Sequence, residues 1–102
     1  MTVVSMMRMA GDPDQLGAAA EEAKINELTE RLGPAHGWLG SIIARDGNEG
    51  ILIVNLWENE EGRHAMAAEP EIQQAMAGAG LPIPAFEGYE VISMNLREAA
   101  VT

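Results

Sequence analysis

A chain of 102 residues with 6 Lys and Arg against 16 Asp and Glu, a formal charge of −10, repels phosphate backbones and anionic lipid headgroups, so no nucleic-acid or membrane partner is expected. The absence of cysteine excludes disulfides, thiolate ligands and a thiol nucleophile. With an N-terminal stretch that Arg8 interrupts before any signal-length apolar run, it leads us to expect a cytoplasmic protein. A single domain over 1–102 buries only about two-thirds of its unfolded surface, so a subunit interface would add stability and a separate catalytic domain has no room.

Val3 to Met9 reads as a first strand. Gly11-Asp12-Pro13-Asp14-Gln15 then starts a helix, with Asp12 as N-cap, Pro13 at the first helical position and Gln15 completing a capping-box pattern. Gly33-Pro34 stops that helix. Ala18, Ile25, Leu28 and Leu32 share one stripe, while Leu16 lies roughly opposite at about 100° per residue, which predicts a bend or a different contact surface in the first turn.

Trp38 to Ala44 is a second strand, and the turn Asp46-Gly47-Asn48-Glu49-Gly50 joins it to a third as an antiparallel hairpin. The third strand carries the most information. Its pleat points Ile51, Ile53, Asn55 and Trp57 one way and Leu52, Val54 and Leu56 the other. Two short helices can shield one face of a small sheet, and the other face requires a further layer, most simply a second copy of the chain. A homodimer is therefore expected.

Asn59 caps a helix whose first turn holds Glu60 and Glu61, where they complement the dipole. It ends near Pro70, which starts a further helical segment through Ile72, Ala75 and Met76, closed by Gly78 and Gly80. After the connector Leu81-Pro82-Ile83-Pro84, Tyr89 to Met94 reads as the last strand, followed by a tail from Asn95 to Thr102. The order βαββαβ, with four antiparallel strands and helices on one face, is the α+β ferredoxin-like arrangement, which hosts many functions.

Candidate site residues follow from polar and aromatic groups in apolar settings. Asn55 must find partners or cost about 1–3 kcal/mol, and a ligand pocket, a buried water or a structural hydrogen bond would supply them. Trp57 is a packing anchor or lines a ligand site. Met7, Trp38, Ile53, Met66 and Phe86 are candidate pocket walls. The methionines, Met6, Met76 and Met94 among them, suit either a flat aromatic ligand or an ordinary soft core. Tyr89 is placed beside Trp57, with its hydroxyl free to hydrogen-bond a ligand or with a packing role alone. His64, four residues after Glu60, shares a helix face with that carboxylate and is either a general base or an exposed imidazole. Arg8 orients an acidic phenol or forms a surface ion pair, and His36 is assigned a loop role. No metal-ligand spacing, phosphate loop or serine-histidine-acid set is present.

The segment from His36-Gly37-Trp38-Leu39-Gly40 through Trp57-Glu58-Asn59-Glu60-Glu61 to Leu81-Pro82-Ile83-Pro84 and Tyr89-Glu90-Val91 resembles the antibiotic biosynthesis monooxygenase-like family of dimeric α/β barrels. The resemblance implies a pocket between each sheet and its own helices, and sheets packed across a dimer. Enzymes of that family oxidise polycyclic phenols or quinone precursors with dioxygen and no bound cofactor; other members degrade haem, act on small signalling quinones or have no known substrate. Trp57 carries over as a pocket residue. The oxygenases place an asparagine four residues before that Trp, where this chain has Ile53, with Asn55 two before it on the same pleat face. Haem-degrading relatives have an asparagine in the first strand and a histidine a little over two helical turns after the Trp; here Val3 to Met9 contains no Asn and His64 follows Trp57 by seven residues, so haem ranks below the other readings. The expectation is a cofactor-independent monooxygenase for an aromatic or polyketide-like phenol, with Trp57 and Asn55 in the pocket and His64 or Tyr89 assisting proton transfer. The competing expectation is a non-catalytic small-molecule-binding or structural homodimer.

Overall fold

A computed structural model describes residues 1–81 and 85–96, the side chains of 85 and 86 excepted. Strand β1 (Val3–Ala10) leads to helices α1 (Pro13–Glu22) and α2 (Ile25–Leu32) and a 3-10 turn at Pro34–His36. The hairpin β2 (Trp38–Asp46) and β3 (Gly50–Trp57), helices α3 (Glu60–Ala67) and α4 (Pro70–Gly78), and β4 (Ala85–Glu90) follow. The four strands form one antiparallel sheet in the order β2-β3-β1-β4. The α+β ferredoxin-like arrangement expected from the element order is the one observed.

Local signals set most of these boundaries. Asp12 caps α1 by accepting from Asp14 N (2.9 Å) and Gln15 N (3.4 Å), and Asn59 caps α3 by accepting from Gly62 N at 2.7 Å, so orphan amides of both first turns are satisfied. In the hairpin turn Gly47 takes φ +56°, a left-handed conformation that glycine adopts without steric cost, and Glu49 N donates to Asp46 O at 3.0 Å.

The expected single helix from Asp12 to Leu32 is instead two. Ala23 N donates to Ala19 O and Lys24 N to Glu21 O, closing α1; Lys24 then adopts φ 58° and its carbonyl accepts the first bond of α2 from Leu28 N. One straight helix could not turn both Leu16 and the Ile25–Leu28–Leu32 stripe inward, because their phases are opposed. The break resolves the conflict: Leu16 packs with Met9 and Ile51 in the core, while α2 packs against α4 and the 3-10 turn. Arg31 on α2 pairs with Glu71 on α4.

The last strand also differs from expectation, covering Ala85–Glu90 rather than Tyr89 to Met94. Its register explains the shift: Val3, the first residue of β1, pairs with Glu90, and one more bond, Val91 N to Thr2 O at 2.9 Å, uses up the available edge. Ile92, Met94 and Leu96 keep a strand-like alternation without a strand to join, and Ile92 is fully exposed. The Pro82-Ile83-Pro84 part of the connector and the tail from residue 97 lie outside the described residues.

The helices cover the sheet face that carries Met9, Ile51 and Ile53, against which Leu16, Met76 and Leu81 pack. On the far face Val4, Met6, Leu52, Val54 and Leu56 are only half-buried, and Ile42 is 65% exposed. The two-sided apolarity of β3 is thus matched by one covered and one open face. Among the described residues no helix is long and apolar enough to cross a membrane.

Candidate functional site

Strand register arranges the helix-facing side of the sheet in transverse rows. Trp38, Trp57, Val3 and Glu90 form one row; Ser41, Asn55, Ser5 and Gly88 the next; Ile43, Ile53, Met7 and Phe86 the third. A β-bulge between Trp38 and Gly40 lets Trp38 stay on this side ahead of Ser41. Expected site residues Trp57, Asn55, Ile53, Met7 and Trp38 are therefore brought onto one face, and Met66 is buried on α3. Phe86 occupies the same row as Met7 by backbone register, and its side chain lies outside the described residues.

The middle row is polar or bare between an aromatic row and an apolar one, and its centre is buried: Ser5 is 1% and Asn55 7% exposed. Trp57 Nε1 donates to Ser5 Oγ at 3.0 Å. The Asn55 carboxamide makes no hydrogen bond among the described residues, and the buried Trp38 Nε1 has no acceptor there. Leaving a buried polar group unpaired is costly, so Trp38 Nε1 marks where a bound oxygen or water gains most, while the Asn55 amide, in a residue that keeps 7% exposure, stands ready to bond one.

At the β4 end of the row, Arg63 on α3 is 9% exposed. A Cβ on Gly88 would lie 3.8 Å from Arg63 Nε and 3.8 Å from Glu60 Oε2, so bare backbone sits beneath the guanidinium. Arg63 Nε donates to Glu60 Oε1 at 2.8 Å, and Nη2 contacts the same oxygen. The hydrogen bond from Arg63, aided by its charge and that of His64, holds the Glu60 carboxyl below the usual range against the opposing effect of desolvation. An open groove of about 470 Å³ borders this corner, lined by Val3, Asn59, Glu60, Gly88 and Glu90 among others. A second, of about 340 Å³, lies between α1 and β2 beside Gly17, Ala18 and Ile43. Asn55 and Trp57 line neither groove.

Other expected residues sit elsewhere. Tyr89 pairs with Val4 and so projects from the far sheet face, correcting its placement beside Trp57, although it also borders the larger groove at the sheet edge. Its hydroxyl is not free: it donates to Glu87 Oε2 at 2.6 Å, and that bond and the carboxylate's charge raise the phenol pKa. His64 is exposed on α3, with Nε2 3.2 Å from Glu60 Oε1 and 3.2 Å from Arg63 Nη2. Arg8 is exposed on the far face in a 3.6 Å pair with Asp46. His36 Nε2 lies 2.8 Å from Glu69 Oε1, tying the 3-10 turn to the α3–α4 joint. Among the described residues no group of three or more His, Cys, Asp or Glu could hold a metal ion.

Sequence reading passed over Ser5 and Arg63. Ser5 carries the signal that singled out Asn55, a polar side chain within an apolar strand; Arg63 follows Glu60 by three residues on a helix, which reads as a surface pair until the tertiary fold buries one member.

No protein-family model and no curated protein matches the chain. Solved structures do. A candidate antibiotic biosynthesis monooxygenase from Caulobacter crescentus aligns with TM-score 0.71 at 13% identity, over 90% of this chain and 91% of that one. One from Chloroflexus aurantiacus aligns with TM-score 0.64 at 18% identity, over 93% and 97%. SnoaB, a cofactor-independent oxygenase from Streptomyces nogalater, aligns with TM-score 0.61 at 13% identity, over 91% and 93%. The chain therefore has the fold of the antibiotic biosynthesis monooxygenases, along essentially its whole length.

Proposed function

We propose that this protein is a cofactor-independent monooxygenase acting in the cytoplasm as a homodimer, on an aromatic or polyketide-like phenol or quinone precursor held between the sheet and its helices. The observation that carries the reading is the buried Trp38 Nε1, without an acceptor among the described residues, beside the row of Asn55 and Ser5 that Trp57 and Trp38 flank on one side and Ile53 and Met7 on the other. A flat ring suits the aromatic and apolar rows, and a phenolate oxygen suits the donors of Asn55 and Trp38. The fold shared with SnoaB supports the same reading. In such chemistry the ionised substrate is its own reductant: an activated ring CH2 becomes C=O, one atom of dioxygen enters the product and the other leaves as water. The protein's part is to orient the ring and exclude bulk water. A second copy covering the opposite, open face of Val4, Met6, Leu52, Val54 and Leu56 would bury its apolar surface and hold the sheet that floors the pocket.

The test is oxygen consumption in air with a panel of hydroxylated naphthalenes and anthrones. Turnover that Asn55→Ala and Trp57→Phe each lower by at least about tenfold supports the proposal. Tight binding with no turnover favours the second reading, a non-catalytic binder of the same fold. That alternative is favoured by the Trp57 indole, already bonded to Ser5, and by the two grooves, which neither Asn55 nor Trp57 lines. Sedimentation at micromolar concentration tests the dimer: Val54→Lys places a charge on the open face and should yield monomers if that face is the interface.

A further inference from the structure

We infer that residues 91–96 of each copy dock as an added strand along the exposed β2 edge of a second copy, so that two chains exchange tails; the inference rests on the homodimer reading and goes beyond it. Ile92, Met94 and Leu96 recur at every second residue with Ser93 and Asn95 between them, the pattern of a strand with one apolar face. They are 100%, 49% and 58% exposed. The chain's own sheet gives this face nothing to join, because pairing of β4 with β1 ends at Val3 and Glu90 and a single further bond follows, from Val91 N to Thr2 O.

Strand β2 supplies what the tail lacks. It is an outer strand of the sheet, and such an edge invites pairing unless charged side chains or proline protect it. The other edge, β4, carries Glu87 and Glu90 within its 6 residues. Residues 38–44 of β2 hold neither a charge nor a proline, and Leu39, Ile42 and Ile43 are exposed. Residues 91–96 are uncharged as well. In a chain of net charge −10, an alternating uncharged tail and an unguarded uncharged edge of similar length fit one another, whereas the acidic β4 edge does not invite a strand. The chain's own β2 lies three strand spacings away, about 14 Å across the ends of β1 and β3. A second copy on the open face, related by a two-fold axis along the strands, instead sets its β2 over β4, and each tail meets the edge of the other copy. Two tails and two edges are then used, which closes the exchange. With the apolar side of the tail beside Ile42 and Ala44, which pair with Val54 and Leu52, the added strand widens the apolar face that the dimer buries.

The experiment uses the absence of native cysteine. Met94→Cys is combined in one chain with Ile42→Cys or with Ala44→Cys, oxidised, and separated on a non-reducing gel. Pairing brings the two strands within the Cα separation of about 4.4–6.8 Å that a disulfide needs, so a covalently linked dimer is expected from at least one combination and from none of the single variants. In a second measurement, Ile92→Lys together with Met94→Lys should raise the dimer dissociation constant, read by sedimentation, at least about tenfold. Both side chains are exposed within the chain, so this variant keeps its fold, as circular dichroism checks. Two added lysines lessen the repulsion between chains of charge −10, so a weaker dimer reports lost docking rather than net charge. A dimer of unchanged affinity in the lysine variant, a disulfide that forms only within one chain, or no linked dimer from either combination overturns the exchange while leaving the open-face dimer in place. A wild-type protein that sediments as a monomer at every concentration overturns the exchange and the dimer together.

Discussion

The indole of Trp57 donates to the hydroxyl of Ser5 at 3.0 Å, a bond between adjacent strands in which both residues are buried. It joins the aromatic row of the sheet to the polar row beside it and fixes the ring that any ligand in this layer would meet. Ser5→Ala removes the acceptor and leaves a buried indole N–H unpaired. Equilibrium urea unfolding should show a loss of about 1–3 kcal/mol, and a loss below about 0.5 kcal/mol would mean that the indole finds another acceptor.

Lys24 holds the break between α1 and α2 at φ 58°, where a side chain costs about 1–2 kcal/mol and glycine almost nothing. Lys24→Gly should therefore stabilise the fold by up to about 1 kcal/mol, the greater freedom of glycine in the unfolded chain offsetting part of the gain. In a domain of this size, thermal melting should rise by a few degrees. A lower melting temperature would count against the left-handed break.

Gly62 lies in α3 where the 3-10 turn crosses it, and a Cβ there would fall 1.8 Å from His36 O. Neither backbone can yield without disturbing the Asn59 cap or the His36–Glu69 pair. Gly62→Ala should cost at least the upper end of the usual 1–3 kcal/mol for overpacking, about 3 kcal/mol. Thermal melts of the purified variant are the check, and a change within about 0.5 kcal/mol would show that the turn is free to move.

The carboxyl of Glu60 is held below its ordinary range by Arg63. A group whose pKa is lower folded than unfolded stabilises the fold fully above its unfolded value, near 4.5, and loses that contribution as pH falls through the folded value. Glu60→Gln should therefore melt below the wild type at pH 6, with the gap narrowing as pH is lowered toward 3. A gap independent of pH would contradict the shift.

Much of this arrangement is legible in the sequence because it depends on neighbours along the chain. Asp12 with Pro13, Asn59 with Glu60 and Glu61, and the Asp46–Gly50 turn each supply their own capping or turn geometry, so element order and the antiparallel hairpin follow locally. Alternation alone puts Asn55 and Trp57 on one side of β3. The boundary of β4 was not legible, because Ile92, Met94 and Leu96 alternate as a strand does and only the length of β1 denies them a partner. Nor was the break at Lys24, since no glycine or proline marks it.

What the sequence determined by itself was periodicity: which residues are helical, which are extended, and which of two faces each strand side chain takes. What only the tertiary structure decided was which faces meet. Register across four strands set Ser5 and Gly88 in line with Asn55 and sent Tyr89 to the far side. The packing of α3 against the sheet turned Arg63 from a surface cation into a buried one above Gly88. Local pattern encodes direction relative to the chain's own axis, whereas adjacency between strands and burial of charge depend on contacts between segments far apart in sequence.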